Sequence, residues 1–244
     1  MIALASERGL QVRLMGGLAF HACCPDWTAR INRSGRDLDL ATRTRDRKAV
    51  AELLVANGYT PDKQYNALYG HKQLYFVDVP HQRPVDLLVD NLEMCHKFSF
   101  MHRLDVSETT LPPADLLLSK LQVVKINRKD VLDILALLSE YPFADDDGGG
   151  KAISLRRITE FTSSDWGWWR TTTGNLDKLI PFLDHDLAEG ELDFGRPARQ
   201  DVRAQVPALR AAIDAAPKSA RWKIRARAGD HMSWYELPEE VGHG

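Results

Sequence analysis

The chain has 244 residues, with 32 Lys and Arg against 34 Asp and Glu and a formal charge of −2. Apolar residues make up 44% and charged residues 27%, the balance of an ordinary globular protein. That excludes a disordered chain and a histone-like protein that grips nucleic acid through its overall field, and the length suits one large domain or two smaller ones.

The longest apolar runs, such as residues 87–89 and 116–118, fall far short of the ~20 residues of a membrane span. The first residues show no basic segment followed by an apolar one, so no secretory signal is predicted. The three cysteines, Cys23, Cys24 and Cys95, have no CxxC spacing and suggest neither a disulfide framework nor a structural zinc site. A cytoplasmic protein with no membrane partner is the expectation.

Residues 11–15 alternate polar and apolar and predict a short strand. Gly16-Gly17 interrupts it, and a helix follows to Pro25. Strand, diglycine, helix brings backbone N–H groups and a helix N-terminus near an anion; a purely structural turn is the competing reading. Next, Arg36-Asp37-Leu38-Asp39-Leu40 alternates with period two. It sets Asp37 and Asp39 on one strand face, ~6.5 Å apart at Cα. Charges brought to ~4 Å repel by about 4 kcal/mol at an effective dielectric near 20. Solvent on an exposed strand face could screen that, or a hard divalent cation could offset it in a cleft. Arg33 and Arg36 could meet a phosphate or neutralise the two acids.

Residues 46–58 predict a helix with Gly58 as its C-cap. Residues 71–78 and 83–90 predict two strands joined by a tight loop at Pro80. In the second, Asp86 shares a face with Leu88 and Asp90, opposite Val85, Leu87 and Val89. An acid there faces water or shares a cation with other acids. A long helix is predicted from Pro112-Pro113 through Lys125, with Leu117, Leu121 and Val124 on one stripe. After a break at Asn127, a second helix begins near Asp130, with Asp133 on a solvated face. His21, His96 and His102 show no metal-ligand spacing.

The ordered set of strand, Gly16-Gly17, helix, Asp37-Leu-Asp39, Val85-Asp86-Leu, Leu117-Leu-Ser-Lys120-Leu-Gln and Lys129-Asp130 resembles the nucleotidyltransferase superfamily. That fold is shared by DNA polymerase beta, aminoglycoside nucleotidyltransferases and toxins of the AbiEii/MenT type, and the chain looks most like an uncharacterised prokaryotic branch. The resemblance covers residues 10–140. It implies an α+β fold: a mixed sheet flanked by helices, as a catalytic domain over 1–142. It also implies transfer of a nucleoside monophosphate from an NTP such as ATP to an acceptor hydroxyl, with release of pyrophosphate. Gly16 and Gly17 are then expected to hold the triphosphate, with Arg36 and Lys120 as further phosphate contacts. Asp37, Asp39 and Asp86 are expected to bind Mg²⁺ or Mn²⁺, and Asp130 to act as a base. The Asn127-Arg-Lys-Asp130 segment departs from the family's fuller basic run. The competing functions are a non-catalytic nucleotide- or RNA-binding module of the same fold, and a toxin–antitoxin component acting on tRNA or protein.

Residues 143–150 combine acids and glycines and predict a linker to a mainly helical domain over 151–244. Helices are predicted at 153–161, 175–186 and 199–215. The intervening Trp166, Trp168 and Trp169 could stack a nucleobase or form a packing cluster. Residues 221–227 alternate strictly, placing Arg221, Lys223, Arg225 and Arg227 on one face of a predicted terminal β-hairpin. That stripe could hold a phosphate backbone or protect a sheet edge.

Overall fold

The structure, a computed structural model, describes residues 1–28, 37–189 and 199–237. It divides into two compact units. Unit 1 comprises residues 1–92 and 98–116, and unit 2 comprises 93–97 and 117–244.

Unit 1 opens with α1 (Ile2–Glu7), β1 (Val12–Met15), α2 (Gly16–Cys23) and α3 (Pro25–Thr28), then β2 (Leu38–Thr42) and α4 (Arg47–Ala56). It continues with β3 (Thr60–Pro61), α5 (Lys63–Tyr69), β4 (Gln73–Asp78) and β5 (Arg83–Val89); β6 (Asn91–Glu93) and β7 (Lys97–Ser99), whose ends Glu93 and Lys97 belong to unit 2, form a small two-stranded sheet. The main sheet has the order β1-β2-β5-β4-β3. It is mixed: β2 and β5 run parallel, and the other pairs run antiparallel. The predicted alternation is present at residues 38–40 of β2 and along β5, whereas Ala41 and Thr42 of β2 are both buried. Leu38, Leu40, Val85 and Leu87 are buried with Phe76 of β4 against Ala5 of α1 and Val50, Leu53 and Leu54 of α4. The odd–even rule of a strand then turns Asp39 and Asp86 to the opposite face.

The helix α6 (Pro113–Leu121) starts in unit 1 and from Leu117 belongs to unit 2. It stops four residues short of the predicted end, so Val124 lies outside it. Then come α7 (Arg128–Glu140), β8 (Phe143–Ala144), β9 (Ile153–Ser154), α8 (Leu155–Ser164), α9 (Trp166–Ala188), α10 (Val202–Ala215) and α11 (Ala220–Ala226). Asn127 caps α7 in a reciprocal box with Asp130, satisfying two end groups at once. Among the described residues no helix is long and apolar enough to cross a membrane.

The stretch 143–150 lies inside unit 2, and the two units divide within α6. Its glycines form a closed turn, with the N–H groups of Gly150, Lys151 and Ala152 all donating to the Asp147 carbonyl, and β8 pairs parallel with β9 across it. Two expectations for secondary structure in unit 2 are corrected. The tryptophan segment is the first part of α9 rather than a connection between helices. Residues 221–227 are helical, and a short 3₁₀ turn, Gly229–His231, follows where the hairpin was expected. Ser219 supplies the reason, since its hydroxyl accepts the Trp222 N–H as an N-cap. On a helix a two-residue step turns about 200°, so Arg221, Lys223 and Arg225 are spread around α11, with Arg227 following at its C-cap, and the four form no stripe.

Asp133, expected at a solvated face, is fully buried. The Lys120 ammonium bridges it at 3.1 Å and Asp130 at 2.8 Å, tying the end of α6 to the start of α7. Burial alone lowers the Lys120 pKa, but Asp133 and Asp130 outweigh it and the pKa is raised. Lys120→Met leaves a carboxylate buried without its cation, and urea unfolding is expected to show a loss of about 3–5 kcal/mol.

His96 belongs to the same unit. Its ring lies 5.0 Å from that of Trp168 and its Nε2 is 2.9 Å from the Thr171 hydroxyl. Burial lowers its pKa from 6.5 to about 4, against a smaller opposing pull from Asp165. The folded state thus binds a proton less readily than the unfolded chain. The stability contributed by neutral His96 is complete above pH 6.5 and is lost as the pH falls toward 4. Unfolding curves across that window are expected to fall by on the order of 1–3 kcal/mol, and His96→Gln is expected to remove that part of the slope.

Candidate functional site

The candidate site of unit 1 is built by strand register. Met15 of β1 pairs with Asp39 of β2, and Asp39 pairs in turn with Asp86 of β5. Neighbouring strands lie ~4.8 Å apart, so the two acids stand side by side on the sheet face away from the apolar core. Gly16, directly after Met15, folds back over Asp39 with φ +60° as the first residue of α2. A Cβ built on Gly16 would lie 1.7 Å from Asp39 Oδ2. Only glycine tolerates both that φ and that approach. The diglycine is therefore not a turn before a helix but the helix's first turn, where backbone N–H groups lack intrahelical partners.

Asp37 is exposed and precedes β2 by one residue. Its charge reaches the same place as that of Asp86: the Tyr75 pKa is raised, first by burial, then by Asp86 and then by Asp37. Tyr65 is raised likewise, by burial and then by Asp86. The local field on this face is negative, as it must be where a cation or a proton is to be held.

Sequence reasoning missed the neighbours of Asp86. Gln73 Nε2 donates to Asp86 Oδ1, Tyr75 pairs with Asp86 in register, and the Tyr65 ring of α5 lies 6.0 Å from that of Tyr75. The signal was available. A tight connection at Val79–Gln82 pairs Asp78 with Arg83, and counting back from there sets Tyr75 opposite Asp86.

Arg33 and Arg36 lie outside the described residues. Lys120 and Asp130 belong to unit 2, whereas Gly16, Gly17, Asp37, Asp39 and Asp86 belong to unit 1. Both carboxylate oxygens of Asp130 are engaged, Oδ1 by Lys120 and Oδ2 by the Asn127 N–H. The geometry thus gives Asp130 a helix-capping and ion-pairing task.

Among the described residues no three His, Cys, Asp or Glu side chains are gathered as a metal-holding group. The donor set nevertheless suits Mg²⁺ or Mn²⁺. Such ions are commonly held by one or two carboxylates, with waters and substrate phosphates completing the shell, rather than by an all-protein cage. Asp39 and Asp86, adjacent in register, are a pair of that kind, with Asp37 two residues before Asp39.

The tryptophans of unit 2 form a packing cluster. Trp166 and Trp168 are buried. Trp166 meets Trp169 and Trp234 at 6.3 and 5.9 Å, and Trp169 meets Trp222 edge-on at 5.4 Å.

No protein-family model matches the chain, and no curated protein matches it. Among solved structures the chain is similar to one described as an antigenic nucleotidyltransferase-like protein from Paracoccidioides brasiliensis, at 13% identity over 90% of this chain and 91% of that one, with a TM-score of 0.40. At that TM-score the likeness argues for neither a shared function nor a shared site.

The Gly16 contact is directly testable. Gly16→Ala forces a methyl group into the Asp39 carboxylate and a side chain into positive φ. The φ penalty alone is about 1–2 kcal/mol, and chemical denaturation is expected to show a larger total loss. Gly9→Ala, at φ +70° with nothing within 4 Å of its Cβ, is expected to cost only the φ penalty.

Proposed function

We propose that the chain is a metal-dependent nucleotidyltransferase that moves a nucleoside monophosphate from an NTP to an acceptor hydroxyl and releases pyrophosphate. The observation that carries this reading is the Gly16 approach to Asp39, with Asp86 beside it in register. A helix N-terminus that offers unpaired N–H groups suits a polyphosphate. Two carboxylates next to it repel that polyphosphate unless a divalent cation lies between them. The motif order Gly-Gly, Asp-x-Asp and third Asp supports the same reading.

In this proposal Gly16, Gly17 and the start of α2 seat the phosphates. Asp39 and Asp86, joined by Asp37, hold the cation or cations, which when bound lower the pKa of the attacking hydroxyl and neutralise charge on the leaving pyrophosphate. Gln73 fixes the orientation of the Asp86 carboxylate through its amide donor. Lys120 and Asp130 enter only as the ion pair that secures α6 and α7.

One observation favours a second reading, a nucleotide-binding module without catalysis: no three-ligand group is gathered among the described residues. The two differ in pyrophosphate release. The test incubates the chain with labelled NTPs, Mg²⁺ and three acceptor pools, namely bulk RNA, protein including the chain itself, and small polyols. Label transfer and pyrophosphate release are expected. Asp39→Asn and Asp86→Asn are each expected to lower them roughly 100-fold, the usual cost of losing one stabiliser of developing charge. Transfer undiminished in Asp39→Asn refutes the assignment; NTP binding without pyrophosphate release selects the binding module.

A further inference from the structure

Unit 2 holds a cavity of about 510 Å³ that the reading of unit 1 does not use. It falls within the ~300–1,000 Å³ range of small-molecule sites. Trp166 and Trp169 of α9, Arg210 of α10 and Arg227 after α11 all line it, together with Arg170 and His231. Two sequence features far apart in the chain, the tryptophan cluster and Arg227 from the basic residues near the end, thus meet at one place.

The charges around the cavity are of two kinds. Arg170 and Arg210 are held in position by carboxylates. Asp230 takes Nε and Nη2 of Arg170 at 3.0 and 3.1 Å. Asp214 takes Nε of Arg210 at 2.8 Å, and Asp177 takes its Nη1. A guanidinium has five N–H donors, and Nη1 of Arg170 and Nη2 of Arg210 make no hydrogen bond among the described residues. Arg227 is exposed and its side chain has no ion pair or hydrogen bond among them. The half-buried Trp169 is oriented by its Nε1–H, which donates to Asp214 at 3.1 Å. The cavity therefore combines a fixed indole surface with guanidinium donors, one of them uncompensated. Fixed aromatic surface suits a planar ring, and guanidinium donors suit an oxyanion, phosphate above all.

We propose that this cavity binds one nucleotide unit, with its base against the Trp169 side and its phosphate on Arg227 and the spare donors of Arg170 and Arg210. The ligand is either a free mononucleotide or the end of an RNA strand. The proposal is independent of the activity assigned to unit 1.

The test follows tryptophan fluorescence of the full chain in EDTA, which excludes metal-dependent binding elsewhere. Five of the six tryptophans lie beyond residue 165, so the signal reports mainly on unit 2. The probes are AMP, adenosine, ribose 5-phosphate and a short oligoadenylate. AMP is expected to quench saturably, and adenosine and ribose 5-phosphate to bind roughly tenfold more weakly, because each lacks one of the two recognised groups. Arg227→Glu is expected to weaken AMP by a similar factor. Arg8→Glu, the same charge change at an exposed site in unit 1, is expected to leave it unaltered, and far-UV circular dichroism checks that both variants fold. Tighter binding of AMP than of the oligonucleotide identifies the ligand as a free nucleotide, and the reverse as a strand end. Absence of saturable quenching by either, or AMP binding that Arg227→Glu leaves within twofold, overturns the proposal.

Discussion

The close approach of Gly16 to the Asp39 carboxylate is the constraint on which the arrangement of unit 1 depends. It exists because Met15 and Asp39 are paired across β1 and β2, so that the chain leaving β1 must pass over the Asp39 side chain. A residue with a Cβ cannot make that passage. The positive φ at Gly16 then turns the backbone straight into α2, setting the start of the helix against Asp39, with Asp86 beside Asp39 in register. Glycine, acid and helix terminus are thus one device, in which register supplies the position and the missing Cβ supplies the space.

The sheet keeps that device at its polar face by simple alternation. Leu38, Leu40, Val85 and Leu87 commit one face of β2 and β5 to the core under α4, and Asp39 and Asp86 have no choice but the other. A one-residue slip in either strand would exchange acids for leucines. The apolar packing that stabilises the unit therefore also specifies where the charges stand. The phenol pKa values of Tyr75 and Tyr65 are raised first by burial and then by the charge of Asp86.

Unit 2 rests on different physics. Two sets of its buried polar and charged groups are matched by partners: Lys120 with Asp130 and Asp133, and Asn175 donating to the carbonyls of Leu121 and Val123 at 3.0 and 2.8 Å. Such groups cost little while paired and a great deal when a partner is removed. They bind particular residues of α6, α7 and α9 to one another, which apolar contacts alone do not do.

Much of unit 1 was legible from residue order alone. Period two at Leu38-Asp39-Leu40 and at Val85-Asp86-Leu87 assigns both strands and the side on which each acid lies, because alternation is a property of the backbone. The same logic failed at residues 221–227, where an alternating pattern met a serine cap and became a helix; local hydrogen bonding outweighed periodicity. It failed again for Asp133, whose burial depends on a lysine thirteen residues earlier in the chain. Pairings of that sort were beyond pattern reading: Asp39 beside Asp86, Gly16 over Asp39, and Arg227 in one cavity with Trp169. Residue types and periodicity state what each segment can do, whereas strand register and helix packing bring distant segments within reach of one another, and chemistry between side chains acts over distances of a few ångströms.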